Sequence, residues 1–197
     1  LLYDDDFAGY EADSYSCALA RAMAADLAEL AREVDTAWRE DFATTLRSAG
    51  EAGNDRFLSP REASQALYTA LATGLDFVAD QRLGRPMGRF DAPKPQVAEA
   101  RRSGRSLRNV VLSLEALHSL ADTLSDAPTP KTDAAFDRAL SAARALEDPV
   151  FAGVADPISR IRVEALQNDV RAISEAVGAE IAPALGVSVG FNSADGD

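Results

Sequence analysis

Apolar side chains recur along this chain at helical spacing almost from end to end. Leu19, Met23, Leu27, Leu30, Val34, Trp38 and Phe42 are spaced 4, 4, 3, 4, 4 and 4 residues apart. That spacing predicts one long amphipathic helix over 14–48, capped by Asp13 and closed at Gly50. SPRE at 59–62 predicts a second start, with Ser59 as N-cap, Pro60 in the first turn and Glu62 completing a capping box. Leu67, Leu71, Leu75 and Val78 supply its buried face, and Gly84 and Pro86 are expected to end it. Residues 84–106 hold three prolines in GRPMGRFDAPKP and are expected to be irregular, with a short turn near VAEARR.

A third helix is predicted from about Ser106 to Leu124, with Leu107, Val110, Leu114, Leu117, Ala121 and Leu124 forming a narrow seam. A fourth covers about 133–147, with Phe136, Leu140, Ala143 and Leu146 inward. Asp156 and Pro157 open a fifth, whose stripe runs Ile158, Ile161, Leu166, Val170, Ile173, Val177 and Ile181 before Pro183 and Gly186. Only VSVGF at 187–191 hints at a strand. These patterns predict an all-α protein. It is an antiparallel helical bundle of about five main helices, with a long irregular connection and an extended C-terminal tail.

Composition agrees: 47% of the 197 residues are hydrophobic, mostly alanine and leucine. The net charge of −12 argues against nucleic acid or an anionic lipid surface as partner. No apolar run reaches the roughly 20 residues a membrane span needs. The single cysteine, Cys17, cannot form an internal disulfide and is expected to be small and buried. Residue 1 is leucine, with no signal-peptide pattern after it, so the true start is expected upstream.

Charge is uneven. Arg82, Arg85, Arg89, Lys94, Arg101, Arg102, Arg105 and Arg108 are opposed between 82 and 108 only by Asp91 and Glu99. This segment carries +6 and leaves −18 for the remainder. Either these cations pair with acidic neighbours, or they form a basic belt that grips an anion or an acidic partner. Within RRSGRS, Ser103 and Ser106 are candidate N-caps beside Arg102 and Arg105, an arrangement suited to a carboxylate or phosphate. Asn109 belongs to the same candidate set.

Catalytic signatures are missing from the sequence. Glu115 and His118 have the Glu-x-x-His spacing of di-iron bundles, but His118 is the only histidine, so a complete site of that kind cannot form. There is no Walker loop, G-x-S-x-G or H-E-x-x-H. No catalytic residue is assigned: the sequence holds no catalytic constellation, which leans against an enzyme and leaves the question open. Asp4, Asp5 and Asp6 are more simply a solvated turn than a cation site. The ending GFNSADGD offers Asn192, Asp195 and Asp197 but lacks the calcium-loop pattern.

Four stretches together resemble the imelysin family (M75, the insulin-cleaving membrane protease family): LLYDDD at 1–6, FVADQRLGRPMG at 77–88, RRSGRSLRNVVLSLEAL at 101–117 and GFNSADGD at 190–197. The resemblance implies an all-α protein of two helical-bundle domains. Such proteins are exported to the periplasm or held on the outer membrane of Gram-negative bacteria and are linked to iron-regulated uptake. It makes residues 1–197 the C-terminal bundle, with an N-terminal domain as partner. The family motif G-x-H-x-x-E would lie upstream, so none of its residues is carried onto this sequence. The matching SGRSL stretch and the tail are expected near the domain junction. There Arg102, Ser103, Arg105, Ser106, Asn109, Asn192, Asp195 and Asp197 would face a small anionic ligand or a metal. Iron or another metal is left open as cofactor. The tail is expected to return across the bundle, anchored by Phe191. A metallopeptidase and a structural interaction module are the alternatives.

Overall fold

The computed structural model describes residues 11–187, and those residues form an all-α protein. Helix α1 spans Tyr15–Ala37. Its cap is Ser14 rather than Asp13, the Ser14 hydroxyl accepting from the Cys17 N–H at 3.2 Å. The long first helix is not uniform. A π-helical turn, Trp38–Phe42, follows α1, and α2 (Ala43–Arg47) completes it. In the π turn the Ala43 N–H bonds the Trp38 carbonyl, five residues back.

Helix α3 spans Pro60–Asp76 and opens much as SPRE predicts. The Glu62 N–H meets the Ser59 hydroxyl at 3.3 Å, and the Glu62 carboxylate reaches back to the Leu58 N–H at 2.7 Å. It does not stop at Gly84. A π segment, Phe77–Gly84, carries it into α4, Arg85–Met87. The wider π turn bonds the Arg85 N–H to the Asp80 carbonyl, which makes room for Pro86 where an α-turn would clash. Gly84 is helical; a Cβ there would stand 3.2 Å from the Gln167 amide nitrogen and 3.3 Å from the Ala79 carbonyl. The turn comes instead at Gly88, with φ 53° and a hypothetical Cβ 2.6 Å from the Ala92 carbonyl.

Short 3₁₀ turns at Pro95–Val97 and Arg101–Ser103 lead to α5, Ser106–Leu124. Helix α6 spans Pro130–Arg144, earlier than the pattern predicted, because Pro130 is well suited to a first turn. Helix α7 spans Pro157–Ala184 and is capped by Asp156, whose carboxylate accepts the Ser159 N–H at 2.8 Å. Pro183 lies inside α7; Gly186, at φ 64°, follows its end.

The chain divides into two compact units, Leu1–Ala63 and Ser64–Asp197, the division falling within α3. In the first, Phe42 and Leu46 pack against buried Ala49, Phe57 and Ala63. Asn54 fastens that turn, donating to the Thr45 carbonyl at 2.7 Å and accepting from the Phe57 N–H at 2.9 Å. In the second, α6 packs on α7, α5 on α6, and the π segment on α7. Leu71, Leu75, Leu83, Leu114, Phe136, Leu166, Ile173 and Ile181 are fully buried there. Ile158 and Ile161, expected in the α7 stripe, are exposed, and Val163 is buried instead. The α1 stripe is also exposed: Met23, Leu27, Leu30, Val34 and Trp38 all lie open.

Candidate functional site

FVADQRLGRPMG and RRSGRSLRN meet in the second unit. The first forms the π segment and α4; the second forms a 3₁₀ turn, Gly104 in the left-handed region, and the first turn of α5. Arg82 joins them. Its Nε donates to Glu99 at 2.6 Å, and its Nη1 donates to the Asn109 carbonyl at 3.2 Å and to the Ser113 hydroxyl. The guanidinium also lies over the Phe77 ring, 5.2 Å from its centroid. The Asn109 amide donates to the same Glu99 at 3.3 Å, so it orders the loop.

Arg160 braces the other side. It is buried on α7, and its Nη1 donates to the Met87 carbonyl at 2.5 Å while Nη2 reaches the Gly88 carbonyl at 3.3 Å. Its Nε pairs with Glu164 at 2.6 Å. Five donors on a planar fork let one side chain satisfy this turn. Gln167 donates to the Ala79 carbonyl of the π segment at 2.8 Å. Arg160, Glu164 and Gln167 line a polar cleft of about 290 Å³ with Gly84 and Gly88. None of the three was anticipated from the sequence, since only the fold brings α7 to this turn.

The basic segment is partly paired. Arg82 binds Glu99 and Arg89 binds Asp91 at 2.6 Å. Arg101, Arg102, Arg105 and Arg108 are exposed and make no ion pair among the described residues. A groove of about 390 Å³ includes Arg108 of this set, with Gly104, Leu107 and Val111 on one side and Ala143, Arg144, Glu147, Asp148 and Pro149 on the other, so its charged lining holds two carboxylates as well as two guanidinium groups. Its floor is apolar and its rim is charged.

Neither serine of RRSGRS caps α5. The Ser103 hydroxyl donates to the Ala100 carbonyl at 2.9 Å. Arg105 occupies the cap position, and Ser106 is buried with no hydrogen-bond partner for its hydroxyl among the described residues. The Leu107 N–H is taken by the Pro149 carbonyl at 3.1 Å. Neither serine therefore forms the helix cap that the sequence suggested for an anion. Asn192, Asp195, Asp197, Phe191 and the Asp4–Asp6 run lie outside the described residues. Cys17 is partly exposed rather than buried.

Glu115 and His118 go separate ways. Glu115 pairs with Arg144 at 2.7 Å. His118 points to Asp133 at 3.3 Å and Asp122 at 3.7 Å. In the same unit, burial, then the nearby Asp80 charge, raise the Asp76 carboxyl above the usual range.

These observations define an all-α protein whose two distinctive segments are braced against one another around a basic edge. The family model for imelysin, peptidase M75, matches residues 1–177, and the chain belongs to the imelysin family. No curated protein and no solved structure was found to match it. No helix among the described residues is long and apolar enough to cross a membrane.

Proposed function

We propose that this imelysin-family chain is a binding or uptake accessory protein of the periplasm or outer membrane, serving iron acquisition. In this reading it is the C-terminal bundle of a two-domain protein, and a small anionic ligand or a metal is held where the two bundles meet. The observation that carries it is the groove lined by Gly104, Leu107 and Arg108, on the same segment as the exposed Arg102 and Arg105. Guanidinium groups without carboxylate partners suit carboxylate or phosphate recognition. A metallopeptidase reading rests on the family's name and would need the upstream histidine and glutamate.

Calorimetric titration of the full-length protein with citrate, ferric citrate and hemin tests the proposal. Binding that falls at least tenfold when Arg102, Arg105 and Arg108 are changed together to alanine supports it. Folded protein that binds none of the three probes overturns it.

One observation favours a second reading as well. The exposed apolar stripe of α1 supports the structural interaction module, in which this helix packs against a partner. Size measurement of the full-length protein tests whether a second copy takes that place.

A further inference from the structure

We propose that His118, Asp122 and Asp133 form a binding site for a zinc-class divalent transition metal on the seam between α5 and α6. The site is separate from the basic groove. The Nε2 of His118 lies 3.3 Å from one Asp133 oxygen and 3.7 Å from one Asp122 oxygen. One donor atom from each residue lies within 4.8 Å of the others. Tetrahedral zinc with bonds of about 2.0–2.1 Å needs ligand atoms about 3.3–3.4 Å apart. Two of the three edges are nearly at that spacing, and the third, within 4.8 Å, closes with a shift of at most about 1.4 Å.

The chemistry is specific in kind. One imidazole nitrogen with two carboxylate oxygens suits zinc, cobalt(II), nickel(II) or ferrous iron. Calcium and magnesium favour oxygen-only shells with more ligands. Three protein ligands leave a fourth position for water, and the two carboxylates balance the charge of a divalent ion.

The surroundings prepare the ligands. The His118 ring stacks on Phe136, with centroids 4.5 Å apart and planes at 14°. Phe136 is fully buried, so the ring is held in one plane. Asp133 sits in the first turn of α6, its Oδ1 3.5 Å from the Thr129 hydroxyl, a contact that orients the ligand. Asp122 follows His118 by one helical turn and shares its face. The side chains are 23%, 60% and 47% exposed for His118, Asp122 and Asp133, so an ion has access. Among the described residues neither aspartate pairs with a lysine or arginine. The alternative is a hydrogen-bonded cluster of the three side chains that holds no metal.

Cobalt(II) and zinc titration of the chelator-treated full chain separates the two. The expected result is the visible d–d absorption of low-coordinate cobalt, displaced by zinc. His118→Ala should abolish that spectrum, and Asp122→Asn should weaken zinc binding at least tenfold. Asp122 is exposed, so its variant tests the site without disturbing the stacked ring, and circular dichroism checks that both variants fold. No cobalt spectrum, or one unchanged in folded Asp122→Asn and His118→Ala, overturns the proposal. Loss of cobalt binding in Asp122→Asn with citrate binding intact would separate this site from the arginine groove.

Discussion

Helices α1 and α7 carry the same kind of message and meet opposite fates. Each has an apolar stripe at intervals of three and four residues, and each starts on an oxygen cap. Yet α7 buries Val163, Leu166, Val170, Ile173, Val177 and Ile181, whereas α1 buries nothing. Periodicity states that a helix has an apolar face. It does not state what covers that face. Helix α7 is covered by α6 and the π segment, which the chain itself supplies. Among the described residues the α1 stripe has no such cover, and it is the place where this chain's pattern points beyond its own described packing.

The largest expected effect tests that contrast directly. Ile173→Ala removes a fully buried side chain and should cost roughly 2–5 kcal/mol, nearer the upper figure. Leu27→Ala, at a position 68% exposed, should change stability by no more than about 0.5 kcal/mol. Urea unfolding measures both. Equal costs would break the comparison and mean that the α1 stripe is covered in solution.

Helix α7 differs from α1 in a second way, because its buried face includes a charge. Arg160→Met keeps much of the apolar stem but leaves the Met87 and Gly88 carbonyls without their donor. A loss of about 2–3 kcal/mol is expected in the same assay. A neutral result would mean that the Gly88 turn holds itself.

These two helices also mark where the sequence was readable. Phe136, Leu140 and Ala143 on α6 with Leu146 just past its end, and the α7 stripe from Leu166 to Ile181, were visible because helical periodicity is a local property. The opening of α3 was visible because capping acts over only a few residues. The π segment was not, since Gly84 and Pro86 are stop signals in an α-helix and only i+5 bonding lets the chain pass them. The basic edge was visible as charge, but which arginines are paired depends on Glu99 and Asp91. The sequence pointed to Glu115 beside His118. The fold replaced Glu115 with Asp133 across the turn after α5, a meeting no spacing rule encodes.

A smaller effect comes from the far end of α7. Burial pushes the Glu180 carboxyl up, but the N–H groups of Thr132 and Lys131, the Thr132 hydroxyl and the Lys131 charge outweigh it. Its carboxyl is held below the ordinary glutamate range. Its stabilisation is therefore present above the unfolded value of about 4.3 and lost as pH falls through the folded one. Glu180→Gln should melt lower than the parent at neutral pH, and the gap should close on acidification. Asp76, raised by burial and then by Asp80, acts with the opposite sign. Its contribution is present below the usual aspartate value and is lost as pH rises through its own. A gap that stays constant between neutral and acid pH would remove Glu180 from this account.

The smallest effect compares the two caps. Ser14→Ala should loosen the first turn of α1 by about 1 kcal/mol. Because α1 buries nothing, that loss should appear as faster amide exchange near Cys17, with the global unfolding midpoint unchanged. Asp156→Ala acts on a helix that is part of the core, so its loss should move the global midpoint. The Ser159 N–H, then the Ser159 hydroxyl, hold the Asp156 carboxyl below the ordinary aspartate range. Its cap therefore contributes above about pH 3.9 and fades as pH falls through its own lower value. The Ser14 cap has no charge to lose and should not follow pH. Should Ser14→Ala lower the global midpoint as far as Asp156→Ala does, α1 would be coupled to a core after all, and its exposed stripe would be an interface already in use.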